Sequence, residues 1–188
     1  MPIQIETPRL TLRSLTVEHA PLLYDLDSDP AVLRYIGPRR TGTSIDDYRA
    51  HIETVYHKYD AAYRSLGFWA VIERSRQEFL GWICLRPGLD YRFAAEARFR
   101  EDDAELGYRL KAAAWGQGYA TEAALAVIDQ GFREESMARI VASALVENRA
   151  STRVMEKCGL ARQYEFELAG YACPGVVYAL SRPADEAG

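Results

Sequence analysis

Ala104 to Thr121 reads A-E-L-G-Y-R-L-K-A-A-A-W-G-Q-G-Y-A-T. The strand-like run Glu105 to Leu110 leads into Trp115-Gly116-Gln117-Gly118-Tyr119-Ala120-Thr121, which opens a helix. Glycines on either side of one residue at a helix start let several main-chain N–H groups converge without side-chain obstruction, and the helix dipole places positive potential there. The chemistry suited to such a junction is a phosphate or diphosphate. A bare G-x-G is also an ordinary strand-to-helix turn, so the surroundings decide between the two.

Downstream, Ala120, Ala123, Ala124, Val127, Ile128 and Phe132 recur on one apolar stripe able to pack on a sheet. Ile140 to Val146 is a continuous apolar strand of the kind buried on both faces. Asn148 caps a helix that runs to Gly159, a glycine suited to the left-handed C′ position, and Ala161 to Leu168 and Val176 to Leu180 close the chain as strands. Upstream, Gly67 to Ile72 and Phe79 to Leu85 flank a polar turn and form a hairpin. Leu10 to Arg13 is a strand, and Thr16 caps a helix reaching about Leu26. Ser44 with Asp46 and Asp47 starts a second helix carrying Ile45, Tyr48, Ile52, Val55, Tyr56, Tyr59 and Tyr63 at helical spacing. Pro87 to Asp103 is charged and irregular, which predicts a loop. This order predicts a mixed α/β fold: a sheet with helices on both faces and the glycine turn where a strand feeds a helix and then a parallel neighbour.

With 188 residues, 48% of them hydrophobic, the chain is expected to form one domain over residues 1–188. A formal charge of −4 argues against sequence-independent nucleic-acid binding. The N-terminus lacks a charged start followed by an apolar run and no stretch is long enough to cross a bilayer, so a cytoplasmic protein without membrane attachment is expected. Cys84, Cys158 and Cys173 read as reduced, buried, small apolar residues, and His19, His51 and His57 as solvated or helix-face residues. None has metal-ligand spacing, and no metal is expected.

E-L-G-Y-R-L, W-G-Q-G-Y-A-T-E-A, V-E-N-R-A-S and M-E-K-C-G-L, together with the opening E-T-P-R-L-T-L-R, resemble the GCN5-related N-acetyltransferases (GNAT), and within them the branch acting on ribosomal-protein alanines. The likeness covers essentially the whole chain, with separated segments in the right order. It implies a twisted, mostly antiparallel sheet of about seven strands, its fourth and fifth splayed into a V that holds acetyl-coenzyme A. The pantetheine arm would bond to backbone groups of Tyr108, Arg109 and Leu110, and the diphosphate would rest on the amides of Gly116, Gln117, Gly118, Tyr119, Ala120 and Thr121. Asn148 matches an asparagine that contacts the pantetheine arm, and Ser151 a serine near the sulfur. Trp115 stands where the family's phosphate motif usually begins with Arg or Gln. Met155 stands where many members carry the tyrosine that protonates the leaving thiolate, which leaves Ser151 or a water for that task.

The implied reaction is acetylation of a primary amine, of a protein or peptide N-terminus or of a small molecule, by direct attack in a ternary complex. It needs a neutral amine, a stabilised oxyanion and a protonated or solvated thiolate. Glu105, sharing a strand face with Gly107 and Arg109, is the candidate base or else an exposed strand carboxylate, and a backbone N–H of a bulged strand near Leu110 is the candidate oxyanion donor. Asn148 also reads as a plain N-cap, and Ser151 as a first-turn serine. Tyr48, Tyr56, Tyr59, Tyr63, Phe68 and Trp69 either line an acceptor pocket or fill the core, and Glu96, Glu101, Asp102 and Asp103 either attract a cationic acceptor or form a solvated loop. The absent helix tyrosine leaves a non-catalytic coenzyme A sensor as the alternative, and a Rossmann-type nucleotide site lacks its early G-x-G-x-x-G. The final strands offer a route to a homodimer.

Overall fold

The computed structural model describes residues 4–36, 44–134 and 137–182. The reading of Met1, Pro2 and Ile3 as lacking a leader lies outside them. The strands are β1 (Ile5–Glu6), β2 (Leu10–Ser14), β3 (Gly67–Glu73), β4 (Glu78–Pro87), β5 (Asp103–Leu110), β6 (Arg139–Leu145), β7 (Ala161–Phe166) and β8 (Gly175–Ser181). The helices are α1 (Ala20–Leu26), α2 (Pro30–Leu33), α3 (Ile45–His51), α4 (His57–Ala62), α5 (Tyr119–Glu134) and α6 (Arg149–Lys157). The eight strands among the described residues join one sheet in the order β1-β2-β3-β4-β5-β6-β8-β7. The strand beyond the expected seven is β1, whose two residues are too few to show a period. Every neighbouring pair is antiparallel except β5 with β6. A parallel neighbour needs a crossover, and α5 supplies it.

Alternation along the strands divides the core. Leu85, Leu106, Ile140 and Val176 face α5 and α6, where Ala123, Ala124, Val127 and Ile128 form the buried stripe expected from their spacing. Phe68, Ala70, Ile72 and Cys84 face α1 and α3 on the opposite side. The stretch expected as a loop does more than connect. Ala94, Ala97 and Phe99 pack beneath Val141, Val177 and Ala179, so turns rather than a helix cover that part of the sheet.

Local chemistry sets the element ends. Ser44 and Asp47 form a reciprocal capping box at the start of α3. The expected long helix is continuous from Ile45 to Ala62 but includes a π-helical turn at Ile52–Tyr56, which the 3.6-residue period of the sequence does not show. Asn148 caps α6 by accepting from the Ser151 amide at 3.2 Å. Gly159, at φ +83°, ends it with the Gly159 amide on the Glu156 carbonyl and the Leu160 amide on Met155, a Schellman closure. The short α2 was not visible as periodicity, although Asp29 caps it and Pro30 opens it.

The expected bulge near Leu110 is a correction. Strands β4 and β5 stay in unbroken register from Gly81 opposite Leu110 to Pro87 opposite Ala104. The register shifts between β3 and β4 instead, where Val71 faces Gly81 and Ile72 faces Phe79 so that Leu80 has no counterpart. Two smaller corrections concern single residues. His19 is buried rather than solvated, its Nδ1 accepting from the Thr16 amide at 3.0 Å, and Cys173 is half-buried while Cys84 and Cys158 are buried as expected. Among the described residues no helix is long and apolar enough to cross a membrane.

At the paired end of β5 and β6, the Asp103 side chain is fully buried and accepts from Arg139 Nε at 2.7 Å and Nη2 at 2.8 Å, and from the Arg100 amide at 2.8 Å. Asp103 is therefore a structural carboxylate and not an acceptor-attracting one. Removing Arg139 strands that carboxylate in a dry site, a change that typically costs about 3–5 kcal/mol. Urea unfolding of Arg139→Ala is expected to show a loss of that order, and much less of one when Asp103→Leu accompanies Arg139→Met.

Candidate functional site

The parallel pairing of β5 with β6 is short. It joins Asp103 to Arg139, Ala104 to Ile140 and Glu105 to Val141, and then stops. From Leu106 onward β5 keeps its bonds to β4 while its other edge parts from β6. The result is the V-shaped split between the fourth and fifth strands that the resemblance implied, one number higher here because β1 precedes them. Two cavities meet at it. One, of about 400 Å³, lies on the α3 side against Tyr56, Phe68, Trp82, Tyr91 and Glu105. The other, of about 390 Å³, lies along the glycine turn and α6 against Leu110, Trp115, Gly118 and Val154. Tyr108, Arg109, Asn148 and Ser151 line both.

At the open end of the split, Gly116 and Gly118 have φ of +74° and +82°, the left-handed region that side chains disfavour. A Cβ on Gly116 would meet nothing within 4 Å. The amides from Gly116 to Thr121 donate to no acceptor among the described residues, and the Glu122 amide is the first to turn back, onto the Gly118 carbonyl at 3.0 Å. Open space over free, convergent N–H groups at the start of a 16-residue helix is the donor set a diphosphate requires. The departure at Trp115 has a structural account: its indole Nε1 donates to the Leu110 carbonyl at 2.9 Å and braces the turn against β5. That bond occupies one acceptor of the backbone stretch expected to hold a pantetheine arm.

At the closed end, Glu105 forms the last parallel pair and is buried, not exposed. Arg86, directly across on β4, donates from Nε to its Oε2 at 2.8 Å. Burial pushes the Glu105 carboxyl above the usual carboxylate range, and the Arg86 charge opposes that rise. Gly107 and Arg109 share its face as the alternation required. A Cβ at Gly107 would stand 3.3 Å from Glu105 Oε1. Arg109 pairs with the buried Asp27, whose other oxygen accepts from the Tyr48 hydroxyl at 2.9 Å. Burial, with Glu105 nearby, also pushes the Tyr91 phenol up to about 12, and this hydroxyl meets Ser143 Oγ at 2.8 Å.

On the other face, Tyr108 reaches across the split to α6. Its hydroxyl lies 2.9 Å from the Ser151 carbonyl and 3.0 Å from Ser151 Oγ, and burial raises its pKa. Met155 is 1% exposed and lines the first cavity, where its thioether has no proton to donate.

The structure thus gathers Glu105, Tyr108, Arg109, Asn148 and Ser151 at one split and strings Gly116 to Thr121 along its mouth. It separates Leu110 from Glu105: the five intervening steps of strand put them about 17 Å apart at roughly 3.4 Å per residue. An oxyanion donor at Leu110 and a base at Glu105 therefore lie at opposite ends of the split. Of the aromatic residues expected at an acceptor pocket, Tyr56 and Phe68 line the first cavity, Tyr48, Tyr59 and Trp69 are core, and Tyr63 is exposed. Sequence reasoning missed the side chains of Arg86, Tyr91 and Tyr108. The cross-strand pairing of Arg86 with Glu105 was the signal for the first, and it needs a register that sequence does not specify. Among the described residues no group of His, Cys, Asp and Glu could hold a metal ion.

Comparison with known proteins agrees with this geometry. Residues 9–161 match the family described as the acetyltransferase (GNAT) domain. An FsC-acetyl coenzyme A-N(2)-transacetylase of Aspergillus fumigatus is 31% identical over 83% of this chain, which spans only 64% of that protein's length. The uncharacterized N-acetyltransferase YnaD of Bacillus subtilis is 31% identical over 88% of this chain and 86% of its own. The solved structure of RimL, a ribosomal L7/L12 alpha-N-protein acetyltransferase in complex with coenzyme A, superposes with a TM-score of 0.77 over 95% of this chain and 98% of that one, at 20% identity. The chain belongs to the GNAT family of acetyltransferases, and it is an N-acetyltransferase with the fold of the RimJ/RimL-type branch.

Proposed function

We propose that the chain transfers the acetyl group of acetyl-CoA to a primary amine, of a protein or peptide N-terminus or of a small molecule, by direct attack in a ternary complex. The observation that carries this reading is the early end of β5–β6 pairing, which joins a cavity over free helix-start amides to an aromatic cavity holding a buried carboxylate. The coenzyme A named for the RimL structure and for the fungal transacetylase supports the same donor.

In this reading, the amides from Gly116 to Thr121 hold the diphosphate, and the unpaired edge of β5 at Tyr108, Arg109 and Leu110 offers main-chain groups to the two amides of a pantetheine arm. Asn148 lines the same channel and caps α6. Acetyl-CoA supplies an acetyl thioester already activated toward attack by nitrogen. Glu105 accepts the proton that the attacking amine must lose. Its raised pKa makes it a stronger base than an exposed carboxylate. Ser151, its Oγ held 3.0 Å from the Tyr108 hydroxyl, gives its hydroxyl proton to the departing sulfur and recovers one from solvent. As the C–N bond forms and the C–S bond breaks, one proton moves from amine to Glu105 and another from Ser151 to sulfur. Main-chain N–H groups at the free edge between Leu106 and Tyr108 are close enough to the closed end to serve the oxyanion. Holding the reactants in place is itself worth about 7–11 kcal/mol in well-oriented systems.

Thiol release with a panel of amines and peptides is expected to exceed background for at least one acceptor, and its absence across the panel would leave coenzyme A binding alone. For Glu105→Gln, saturating amine should expose a fall in kcat of about 10²–10⁴-fold. The acid limb of the pH profile, where rate rises as Glu105 ionises, should flatten with it, and an unchanged profile removes the base assignment. Gly116→Ala places a methyl where the diphosphate is to sit. Calorimetry should show about ten-fold weaker coenzyme A binding, the equivalent of about 1.4 kcal/mol, and thermal melts a separate loss of roughly 1–2 kcal/mol for a Cβ at positive φ. Asn148→Ala should cost about 1 kcal/mol in thermal stability as a lost cap, and a loss of cofactor affinity larger than this marks its contact with the arm.

A further inference from the structure

The glycine turn carries a charge that works against its proposed ligand. Glu122 lies in the first turn of α5, and a carboxylate there stabilises an empty helix start while repelling any anion bound to it. The carboxylate is held below its usual range. Burial alone would raise it, but the Thr7 hydroxyl at 2.6 Å, the Arg9 amide at 2.9 Å and the Arg9 Nε at 2.6 Å outweigh burial. Arg9 also reaches the turn itself. Its Nη1 donates to the Gln117 carbonyl at 2.9 Å, its guanidinium lies 4.6 Å over the Tyr119 ring, and a Cβ on Gly118 would stand 3.4 Å from Nη2. The segment is anchored in turn: the Arg74 amide donates to the Arg9 carbonyl at 2.9 Å and Arg74 Nη1 to the Thr7 carbonyl at 2.8 Å.

We propose that Arg9 is a positioning residue for the diphosphate of the acetyl donor, acting by cancelling the Glu122 charge and by holding the Gln117 carbonyl away from the cradle of amides. The inference rests on the acetyl-CoA reading above. It also explains how the turn does without the basic residue displaced by Trp115: the cation comes from Arg9, 106 positions earlier in the chain than Trp115. Arg9 holds the loop without bonding to the reacting atoms, so the consequence is for affinity and its salt dependence.

The test is titration calorimetry of coenzyme A into the full chain and into Arg9→Ala, Glu122→Gln and the double variant, at low and high salt, with thermal melts as the check on folding. Arg9→Ala is expected to weaken binding by about ten-fold at low salt, because a bare carboxylate then faces the diphosphate within a Debye length, and the gap should shrink at 1 M salt. The double variant should recover most of that loss. Glu122→Gln alone should bind more tightly than the unaltered protein, since the freed guanidinium then faces the anion, whereas a merely structural brace would make it bind more weakly. The inference is overturned by Arg9→Ala affinity within two-fold of the original, by a double variant as weak as Arg9→Ala, or by weaker binding in Glu122→Gln. No heat with the unaltered protein would instead remove the donor assignment itself.

Discussion

The organisation of this molecule depends on one interrupted interaction: the hydrogen-bonded pairing of β5 with β6 ends after Glu105 and Val141. Main-chain N–H and C=O groups left without partners inside a protein cost free energy, so an opened sheet persists only where struts hold it apart and another partner can bond to the exposed edge. The struts are visible. α5 fills the crossover and buries Val127 and Ala124, Tyr108 reaches from β5 to Ser151 on α6, and Trp115 bonds back to Leu110. The Asp103–Arg139 pair ties the closed end, so the strands diverge from a fixed apex.

Charge follows the same plan. The carboxylates buried around the split are paired with an arginine from another element: Asp103 with Arg139, Glu105 with Arg86 and Asp27 with Arg109. Pairing removes the worst of the desolvation cost, yet at Glu105 burial still prevails over Arg86 and the carboxyl is raised. A carboxyl group that is dry and more basic than usual is suited to taking a proton from an amine. At the mouth the logic reverses. There it is an exposed arginine that comes to a helix start, where Arg9 pairs with Glu122, the carboxylate of the first turn of α5.

Much of this was legible in the chain, for reasons that differ between elements. Strands β3, β4 and β6 were found as runs of apolar, aromatic and β-branched residues bounded by polar turns, and helix α5 because a face that must be buried imposes a period of 3.6 on its apolar residues. The glycine turn was found because positive φ at Gly116 and Gly118 restricts residue choice. The π-helical turn at Ile52–Tyr56, the bulge at Leu80 and the turns that bury Ala94, Ala97 and Phe99 were not legible, since each arises from packing against a neighbour. The same holds for the aromatic wall of the first cavity. The helical spacing of Tyr48, Tyr56 and Tyr59 could not separate the ring that lines the cavity from those that fill the core.

By itself the amino-acid sequence determined most of the strands and helices, where the glycine turn lies and which family the chain belongs to, because local periodicity, capping and glycine geometry are written in neighbouring residues. Only the tertiary structure decided that Glu105 is buried against Arg86, that Tyr108 backs Ser151 across the split and that Arg9 reaches the glycine turn. Those contacts join residues 19, 43 and 108 positions apart. Their existence depends on strand register and on where two strands part, quantities that belong to the assembled sheet and to no single stretch of the chain.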